Sequence, residues 1–334
     1  MRILVTGHTG FKGSWLSLIL KTLGHEVHGI ALDPLKNGVF ELASVGEICN
    51  SDIRLDIRDK KALDAEINRL QPEVVLHLAA QALVLSSYEK IYETYSTNVS
   101  GTLNVLDSSL KSDNLKGIVV VTTDKVYENN GKNVFVETDP LGGKDPYSSS
   151  KALSDKLTQD WSKQNSSVPV GIARAGNVIG GGDVGPSRLI PDILKAIQEN
   201  QVPLIRNPKS VRPWQHVLDC LNGYLKLMDY VQSGHSGVFN FGPASKEFYN
   251  VEDVVTYFTG RLKIKGWKVL ESPNNLEAEF LALDSRKAFK ILHWKNKLSF
   301  EKSLDLTADL YLASLSSKNL REEFLRQVEN FLRL

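Results

Sequence analysis

A tyrosine and a lysine four residues apart, Tyr147 and Lys151, form the most reactive pair that the sequence suggests. On a helix, residues at this spacing lie on one face. An ammonium group beside a phenol lowers the phenol pKa, which starts near about 10, and so provides a base for work near neutral pH. Because this spacing also arises by chance in many helices, its interpretation depends on the residues around it.

A second reactive group directly follows a β-branched run and begins with Thr122 and Thr123. A hydroxyl, a carboxylate and an amine at a strand end can bind a polar substrate and transfer protons to it. The alternative is a plain turn in which threonine and aspartate cap backbone groups. The position shortly before the tyrosine favours catalysis. The predicted catalytic residues are Thr123, Asp124, Lys125, Tyr147 and Lys151.

A glycine-rich loop lies between the first predicted strand and the first predicted helix. Its GxxGxxG spacing places Gly7, Gly10 and Gly13 where a side chain would hold the backbone away from a pyrophosphate. Asp33 follows about twenty residues later, where a carboxylate accepts from a ribose 2′-hydroxyl and repels a 2′-phosphate. A tight turn and a solvated aspartate are the simpler alternatives. The pattern favours NAD over NADP, although Lys36 leaves that choice open.

Further cofactor contacts are expected at the carboxyl ends of the predicted strands, because ligands of open α/β sheets bind there. The small residues Ala79 and Ala80 would let the backbone approach a cofactor, although helix-on-strand packing explains them equally well. Arginine forks bind two diphosphate oxygens at once. The predicted cofactor-binding residues are Gly7, Thr9, Gly10, Phe11, Lys12, Gly13, Asp33, Asp56, Ile57, Leu78, Ala79, Ala80, Gln81, Asn98, Thr122, Tyr147, Lys151 and Arg174.

The second half of the chain carries a separate set of polar residues in segments rich in proline and glycine. Trp214 could stack on a base, but a core position is the commoner role of a lone tryptophan. His216 stands beside a predicted helix start, where histidine more often caps or packs than catalyses. The predicted substrate-binding residues are Asn177, Arg188, Leu189, Arg206, Arg212, Gln215 and His216.

The elements that must position these residues alternate through the first half of the chain. Short β-branched runs followed by amphipathic stretches are typical of βαβ units, and right-handed crossovers place helices on both faces of a parallel sheet. We predict a doubly wound α/β sheet of the Rossmann type. The predicted strands are Ile3–Thr6, Val27–Leu32, Ile53–Asp56, Val74–Leu78, Ile118–Thr122 and Val170–Ala173, and the predicted helices are Trp15–Leu23, Lys60–Leu70, Tyr92–Leu110 and Ser149–Trp161.

The rhythm changes after about Gly180, where proline and glycine become frequent and the elements shorten. We therefore predict a nucleotide-binding domain over residues 1–180 and a smaller α/β lobe over residues 181–334, with some chain crossing back. The predicted helices of the second half are Ile190–Asn200, Val217–Tyr230, Val251–Arg261 and a stretch from Phe300 to the end, with a short strand at Val238–Phe241.

The overall charge gives no reason to expect a polyanionic partner. The 334 residues include 40 Lys and Arg against 39 Asp and Glu, a net charge of +1, so we expect neither nucleic acid nor a membrane surface as partner. Cys49 and Cys220 lie far apart and have no metal-ligand spacing. With no apolar run of about 18 residues or signal peptide, we expect a cytoplasmic protein without a resident metal.

Several strings along nearly the whole chain resemble the extended short-chain dehydrogenase/reductases. Strings such as HLAAQ and TTDKVY are generic to that superfamily. The combination of GHTGFKGSW, GGKDPYSSSK, GNVIGGGD and RPWQHVLD is more specific and resembles the CDP-glucose 4,6-dehydratase group of deoxysugar biosynthesis. Two pairs near the C-terminus, Glu277-Ala278 and Leu283-Asp284, resemble that group more loosely.

The resemblance implies a dehydratase that uses NAD in an internal redox cycle on a nucleotide-linked sugar. Tyr147, assisted by Lys151 and Thr123, would take the proton of the sugar 4-hydroxyl while hydride leaves C4 for NAD. The 4-ketone acidifies the C5 proton, Asp124 would protonate the departing 6-hydroxyl, and hydride would return to C6. Related dehydratases carry glutamate where Lys125 stands, so Lys125 is either the C5 base or a group that only steadies the enolate.

The resemblance also implies an oligomer, a homodimer or a dimer of dimers, paired through the helices predicted at Tyr92–Leu110 and Ser149–Trp161. Three positions depart from the group: Leu85 replaces an arginine, Val184 a tryptophan and Ser187 an acid. They concern the substrate side, so a dehydratase of another nucleotide sugar stays open.

Two further functions remain as alternatives. A nucleotide-sugar 4-epimerase shares the fold, NAD and the tyrosine–lysine pair, but it has no use for Asp124 and Lys125. A non-catalytic dinucleotide sensor would be expected to have lost Tyr147 or Lys151, and both are present.

Overall fold

The computed structural model describes residues 1–129, 131, 134–243, 248–264, 266–270, 280–315 and 319–334. The strands are β1 (Arg2–Thr6), β2 (Glu26–Ala31), β3 (Ser51–Arg54), β4 (Val74–His77), β5 (Gly117–Val121), β6 (Val134–Phe135), β7 (Val170–Ala175), β8 (Val178–Ile179), β9 (Leu204–Ile205), β10 (Gln215–His216), β11 (Gly237–Phe241), β12 (Lys268–Val269) and β13 (Ala282–Leu283). The helices are α1 (Phe11–Thr22), α2 (Val39–Leu42), α3 (Val45–Ile48), α4 (Lys60–Leu70), α5 (Val84–Glu89), α6 (Ile91–Tyr95), α7 (Thr102–Ser109), α8 (Pro146–Gln164), α9 (Leu189–Gln198), α10 (Val217–Gln232), α11 (Val251–Arg261), α12 (Arg286–Leu292), α13 (Phe300–Leu315) and α14 (Leu320–Arg333).

Seven strands form one parallel sheet in the order β11-β7-β5-β4-β1-β2-β3. β1 pairs with β2 on one side and with β4 on the other, placing Thr6 beside both Ile30 and His77. The chain reverses its direction of winding between β1 and β4, and ligands of such sheets bind in the crevice that opens there. The predicted doubly wound sheet is confirmed.

Helices cover both faces of the sheet, as the apolar character of its strands requires. On one face, α1, α10 and α14 pack through residues such as Leu16, Leu221 and Phe324. On the other face, α4, α7 and α8 pack through residues such as Ile67 and Trp161. The reactive residues at the carboxyl ends of the strands are therefore held between two packed layers.

The second half of the chain builds a smaller core and also returns to the large sheet. Ile193, Val254, Phe258 and Leu304 form the centre of the small core, beside the two-stranded pairs β10 with β8 and β12 with β9. The strand β11 meanwhile joins β7 in the large sheet. The short strands of this half are two residues long, too short to show a hydrophobic period in the sequence.

Two predicted helices differ in detail from the structure. The helix predicted at Tyr92–Leu110 is helical throughout residues 91–109, but it widens into a π-helical segment at Ser96–Gly101. The helix predicted from Phe300 to the end is wrong as a single element, since it forms α13 and α14 with residues 316–318 outside the described part. Glu277 and Ala278 also lie outside the described residues. Within the described segments, no helix combines the length and the apolar character needed to cross a bilayer.

Candidate active site

Helix α8 places Tyr147 and Lys151 one turn apart at the carboxyl end of the sheet. Asp145 caps this helix by accepting from Ser148 N at 2.9 Å, and Pro146 occupies its first turn. Both reactive side chains are buried. The Lys151 Nζ donates to the carbonyl of Val121, the last residue of β5, at 2.8 Å. This bond holds the catalytic helix against the strand that leads to the second reactive group.

That second group forms a single 3₁₀ turn, Asp124–Val126, immediately after β5. The Asp124 side chain is 1% exposed, and its Oδ1 accepts from the Thr123 hydroxyl at 3.0 Å and from the Lys125 ammonium at 3.3 Å. Its other oxygen, Oδ2, is buried and has no hydrogen-bond partner among the described residues. A buried carboxyl in which one oxygen accepts hydrogen bonds and the other has no partner is suited to exchange a proton with a bound molecule.

Burial controls the proton affinity of the tyrosine and the lysine. Burial raises the pKa of Tyr147, and this outweighs the opposing influence of the Lys125 charge and the Thr123 hydroxyl. Burial also lowers the pKa of Lys151 to about 8, and the charge of Lys12 acts in the same direction. Burial therefore outweighs the lowering of the Tyr147 pKa that a neighbouring ammonium provides. A further positive charge beside the phenol is needed to make it a base near neutral pH.

The glycine loop is packed so closely that a Cβ atom at Gly7 or Gly13 would clash with neighbouring backbone atoms. A Cβ at Gly7, where φ is +76°, would lie 2.7 Å from Ala79 N, and one at Gly13 would lie 2.1 Å from the Gly7 carbonyl oxygen. Gly10 precedes α1 and offers no side-chain cap, so the amide groups of the first turn face outward. Such an N-terminus binds phosphate, and this loop therefore fits the pyrophosphate of a dinucleotide.

The predicted ribose acid lies open at the end of β2. The Asp33 side chain is 92% exposed, and its Oδ1 lies 3.3 Å from Arg54 Nε. Thr9, in the glycine loop, donates to the neighbouring Leu32 carbonyl at 3.0 Å. Asp33 is thus accessible to a ribose bound over the glycine loop, in the position that favours a 2′-hydroxyl.

The loop after β4 completes the cofactor side through backbone contacts. Ala79 N donates to Thr6 Oγ1 at 3.2 Å, and Gln81 N donates to Asn98 Oδ1 at 2.9 Å. The Asn98 amide also donates to Ser150 on α8 at 2.9 Å. Asn98 therefore joins this loop to helix α8. Leu78 and Ala80 lie in the same loop.

The remaining cofactor-side predictions occupy three different settings. Asp56 pairs with Arg58, which lowers the Asp56 carboxyl pKa. Ile57 is buried in the core beneath α4 and α7. Phe11 packs on Gly180, and Lys12 Nζ donates to the Tyr224 hydroxyl at 3.2 Å. Lys12 thus lies at the start of α1 with its charge directed toward Lys151.

Two predicted cofactor contacts are used elsewhere. The Arg174 guanidinium is buried and forms two hydrogen bonds with Asp155, at 2.7 and 2.8 Å. The Thr122 hydroxyl donates to the same carboxylate at 3.0 Å. The donors of Arg174 are committed to groups inside the protein, and its contact with the cofactor stays a prediction. The pattern of arginine after a strand could not distinguish these two uses.

Buried polar atoms without partners converge on the substrate side. Within the described part of the chain they include Asn177 Oδ1, Trp214 Nε1, Gln215 Oε1 and His216 Nε2. Gln215 N donates to the Asn177 carbonyl at 3.1 Å, which holds these two segments together. A Cβ at Gly176 would lie 2.3 Å from Pro213 and 3.1 Å from Asp124 Oδ2. The absence of a side chain at Gly176 lets the substrate segments reach the catalytic carboxyl.

His216 lies buried at the start of α10. Its side chain is fully buried, caps α10 by accepting from Leu218 N at 3.3 Å, and packs edge-on against Trp15. Burial lowers its pKa to about 3, so the ring is neutral at physiological pH. The capping role is therefore present, while Nε2 is buried without a hydrogen-bond partner among the described residues, and the substrate contact stays a prediction.

The three predicted arginines of the substrate side differ in their accessibility. Arg188 pairs with Asp183 at 2.8 Å, and its charge reaches Tyr147, whose pKa it acts to lower. Arg206 is partly exposed and donates to the Ser187 carbonyl at 3.3 Å. Arg212 is buried and donates to the Val211 carbonyl at 2.9 Å. Arg188, beside Leu189 at the start of α9, is thus the arginine that the fold brings to the catalytic pair.

Comparisons with known proteins agree with this geometry. Residues 3–242 match the NAD dependent epimerase/dehydratase family. The chain is 38% identical over 348 aligned positions to the CDP-glucose 4,6-dehydratase of Salmonella typhimurium, covering 99% of this chain and 96% of that protein. It is 30% identical to the probable dTDP-glucose 4,6-dehydratase of Sinorhizobium fredii, over 93% of both chains. The crystal structure of Thermotoga maritima UDP-glucose 4-epimerase with UDP-glucose is similar, with a TM-score of 0.82 and 25% identity, over 94% of this chain and 100% of that chain.

Proposed function

Because the chain belongs to the NAD dependent epimerase/dehydratase family, we propose that it removes water from CDP-glucose to form CDP-4-keto-6-deoxyglucose. The observation that carries this proposal is the buried Asp124, with its unpartnered Oδ2 and with Lys125 at 3.3 Å, beside Tyr147. A 4-epimerase needs only the tyrosine and its lysine. The similarity to the Salmonella typhimurium CDP-glucose 4,6-dehydratase supports the choice of substrate.

The cofactor would be held by Gly7, Gly10 and Gly13 at its pyrophosphate and by Asp33 at its adenine ribose. NAD supplies, when bound there, a hydride acceptor for C4, a hydride donor for C6 and a positive charge near the phenol. In this proposal residues 1–180 bind the cofactor and residues 181–334 provide most of the substrate side. Buried atoms without partners on the substrate side belong to Asn177, Trp214, Gln215 and His216, and the charge of Arg188 acts on the Tyr147 pKa.

Tyr147 takes the proton of the sugar 4-hydroxyl as C4 is oxidised to a ketone. Lys151 stabilises the tyrosinate by its charge and remains tied to the Val121 carbonyl at 2.8 Å. The Thr123 hydroxyl, which interacts with Tyr147, holds the reacting oxygen in line. Orienting groups of this kind convert a slow encounter into a reaction between fixed neighbours.

The elimination uses the contact between Asp124 and Lys125. Transfer of one proton from Lys125 to Asp124 makes Lys125 a free amine and Asp124 a carboxylic acid. Bound substrate excludes water, and this lowers the free energy of the neutral pair relative to that of the ion pair. Lys125 then removes the C5 proton, the C6–O bond breaks, and Asp124 protonates the leaving hydroxyl to give water.

The same groups return to their starting state when C6 is reduced. Lys125 gives its proton back to C5, and the proton that Tyr147 took from the 4-hydroxyl passes to Lys125. The ion pair and the tyrosinate are thereby restored. One proton from the 4-hydroxyl and one hydroxide from C6 have left as water, so the cycle balances without an external acid or base.

We further propose a homodimer or a dimer of dimers that pairs through α6, α7 and α8. Large apolar side chains on these helices are exposed, including Tyr92 at 84% and Leu153 at 49%, together with Leu103. Apolar residues grouped on neighbouring helices are typical of helix–helix interfaces.

We place the protein in the cytoplasm, because Cys49 and Cys220 are both free thiols and free thiols suit a reducing compartment.

The proposal is tested by incubating the purified chain with NAD and CDP-glucose and following the alkaline ultraviolet absorbance of the 4-keto-6-deoxy product. Parallel reactions contain dTDP-, UDP- and GDP-glucose. Product from CDP-glucose alone is the expected result. Product only from another nucleotide sugar would support the dehydration but not CDP-glucose as its substrate. Leu85, Val184 and Ser187 would then be the positions at which the substrate preference differs. A C4-inverted sugar without keto product would establish an epimerase instead.

A further inference from the structure

A buried ion pair lies directly behind the catalytic residues, between α8 and β7. Asp155 stands one turn after Lys151 and is fully buried, as is Arg174. Their two hydrogen bonds measure 2.7 and 2.8 Å. The same carboxylate accepts from the Thr122 hydroxyl at 3.0 Å and from Gln159 at 2.8 Å. Asp155 therefore connects helix α8 to Thr122, the first residue of the segment 122–127, the catalytic turn.

The arginine of the pair reaches the other end of that turn. Arg174 Nη1 donates to the Tyr127 hydroxyl at 3.0 Å and to the Glu137 carbonyl at 3.0 Å. The Tyr127 hydroxyl in turn donates to Asn240 Oδ1 on β11 at 2.5 Å. Residues 122–127 are thus held at both ends, at Thr122 by Asp155 and at Tyr127 by Arg174.

From this arrangement we infer that Asp155 and Arg174 are positioning residues for the dehydration, because their ion pair sets the distance between the catalytic turn and the catalytic helix. The inference rests on the proposed function. The turn carries Thr123, Asp124 and Lys125, whereas the helix carries Tyr147 and Lys151. Without the pair, the two halves of the site are joined by the bond from Lys151 to Val121, by the Thr123–Tyr147 contact and by apolar packing of Ala152 with Val126 and Tyr127.

A purely structural role for the pair is the competing explanation. Buried ion pairs contribute little to stability relative to well-packed apolar residues, whereas removal of one partner is costly because it leaves an unpaired buried charge. A double replacement with apolar residues therefore separates the two roles. It removes both buried charges and the tether to the turn while keeping the volume of the core.

The charge of Asp155 provides a second, independent signal through Lys151. The charged groups that act on the Lys151 pKa are Lys12 from the start of α1 and Asp155 from its own helix. Lys151 in turn acts to lower the pKa of His77 on β4, and Tyr147 lies one turn before Lys151 on α8. Burial and Lys12 lower the Lys151 pKa, whereas Asp155 acts to raise it. Loss of the Asp155 charge should thus make Lys151 lose its proton at lower pH.

The test compares the wild-type chain with Asp155→Asn and with the double variant Asp155→Leu/Arg174→Met. Asp160→Asn serves as control, because Asp160 lies on the exposed side of the same helix and pairs with Lys156 at 2.9 Å. Product formation from CDP-glucose is measured as kcat and KM between pH 6 and 10, with thermal unfolding followed by circular dichroism. We expect the double variant to unfold within a few degrees of wild type, with kcat lowered about 10- to 100-fold and KM little changed.

In Asp155→Asn the alkaline fall of kcat should move to lower pH by up to about one unit, whereas Asp160→Asn should match the wild type. A folded double variant with wild-type kcat and pH profile would overturn the inference and leave the proposed function intact. A wild-type chain that forms no keto product from any nucleotide sugar would overturn the proposed function, and the inference with it. If the double variant does not fold, an unshifted pH profile in Asp155→Asn would overturn the inference by itself.

Discussion

Tyr147, Lys151 and Asp124 are almost completely withdrawn from solvent, and for the tyrosine and the lysine burial sets the affinity for a proton. It raises the pKa of Tyr147 and lowers that of Lys151 to about 8. Both groups are thereby biased toward their neutral forms. A cofactor that brings positive charge to the phenol would act against the effect of burial and favour the tyrosinate.

Replacement of Tyr147 by phenylalanine should abolish C4 oxidation while the fold is retained. The change removes only the hydroxyl, and loss of a positioned base costs about 100- to 10,000-fold in rate. Turnover of CDP-glucose is measured by product absorbance, and folding by circular dichroism. Tyr311→Phe, a buried tyrosine of α13, is the matched control and should keep wild-type turnover. Normal turnover in Tyr147→Phe would assign the base to another residue.

Replacement of Lys125 separates a C5 base from a cation that steadies the enolate. Lys125→Met removes both capacities, whereas Lys125→Arg keeps the charge but is not a base at neutral pH. We expect both variants to form product at least about 100-fold more slowly, and neither to carry deuterium from heavy water into C5, as measured by NMR. Rapid product formation by Lys125→Arg would show that the positive charge alone is sufficient.

Helix α8 is the element that sets the precision of the site, since it carries the base and its lysine and also Asp155. Its start is defined by Asp145, which accepts from both the amide and the hydroxyl of Ser148. The Tyr147 amide additionally donates to Ser87 Oγ at 3.1 Å. The first turn of the helix is thus anchored on both sides of the tyrosine.

Loss of the Asp145 cap should therefore reduce activity as well as stability. Asp145→Ala is expected to lower the free energy of unfolding by about 1 kcal/mol, measured by urea denaturation, and to lower kcat because the first turn frays. Asp59→Ala is the control, because Asp59 caps α4 through Ala62 N at 3.0 Å, away from the catalytic residues. It should lose similar stability at unchanged kcat. Equal kcat in both variants would show that the cap is only structural.

At the scale of the whole molecule, buried neutral histidines link stability to pH. His77 lies in the sheet between Thr6 and Thr102, with contacts of 2.7 and 3.0 Å. Burial lowers its pKa to about 3, whereas the unfolded chain binds a proton near about 6.5. The unfolded state therefore binds more protons between these values. The stability that neutral His77 provides is fully present above pH 6.5 and is lost as pH falls toward 3.

We expect the free energy of unfolding to fall steeply as the pH is lowered from 6.5 toward 4. In His77→Asn this slope should be shallower by about 1.4 kcal/mol per pH unit, the value for one proton. Urea denaturation at several pH values measures it, and His235→Asn, a change at an exposed histidine, should leave the slope as in wild type. An unchanged slope in His77→Asn would mean that other groups cause the acid sensitivity.

The proposed oligomer has a direct test at the exposed apolar surface of α7 and α8. Leu153→Glu places a charge in the centre of that surface, where burial of an unpaired carboxylate would be costly. We expect the variant to sediment as a monomer in analytical ultracentrifugation, in contrast to the wild type. Leu204→Glu, at another exposed leucine, should sediment like the wild type. A monomeric wild-type chain would rule out the oligomer.

The sequence by itself determined the fold class and the reactive residue types, because these depend on local patterns. Alternating β-branched and amphipathic runs specify a doubly wound sheet, and the GxxGxxG loop specifies a turn that only glycine can adopt. The spacing of Tyr147 and Lys151 specified a shared helix face. The sequence also allowed the prediction that Asp155 lies on this face, because it follows Lys151 by one further turn of the helix.

Only the tertiary structure decided what each polar residue contacts. Arg174 pairs with Asp155, His216 caps a helix, and burial raises the Tyr147 pKa. Each of these outcomes depends on burial and on partners distant in the chain, which a one-dimensional pattern does not contain. Charge and hydrogen-bonding capacity are properties of a residue, whereas their use is set by the dielectric and the neighbours that folding supplies.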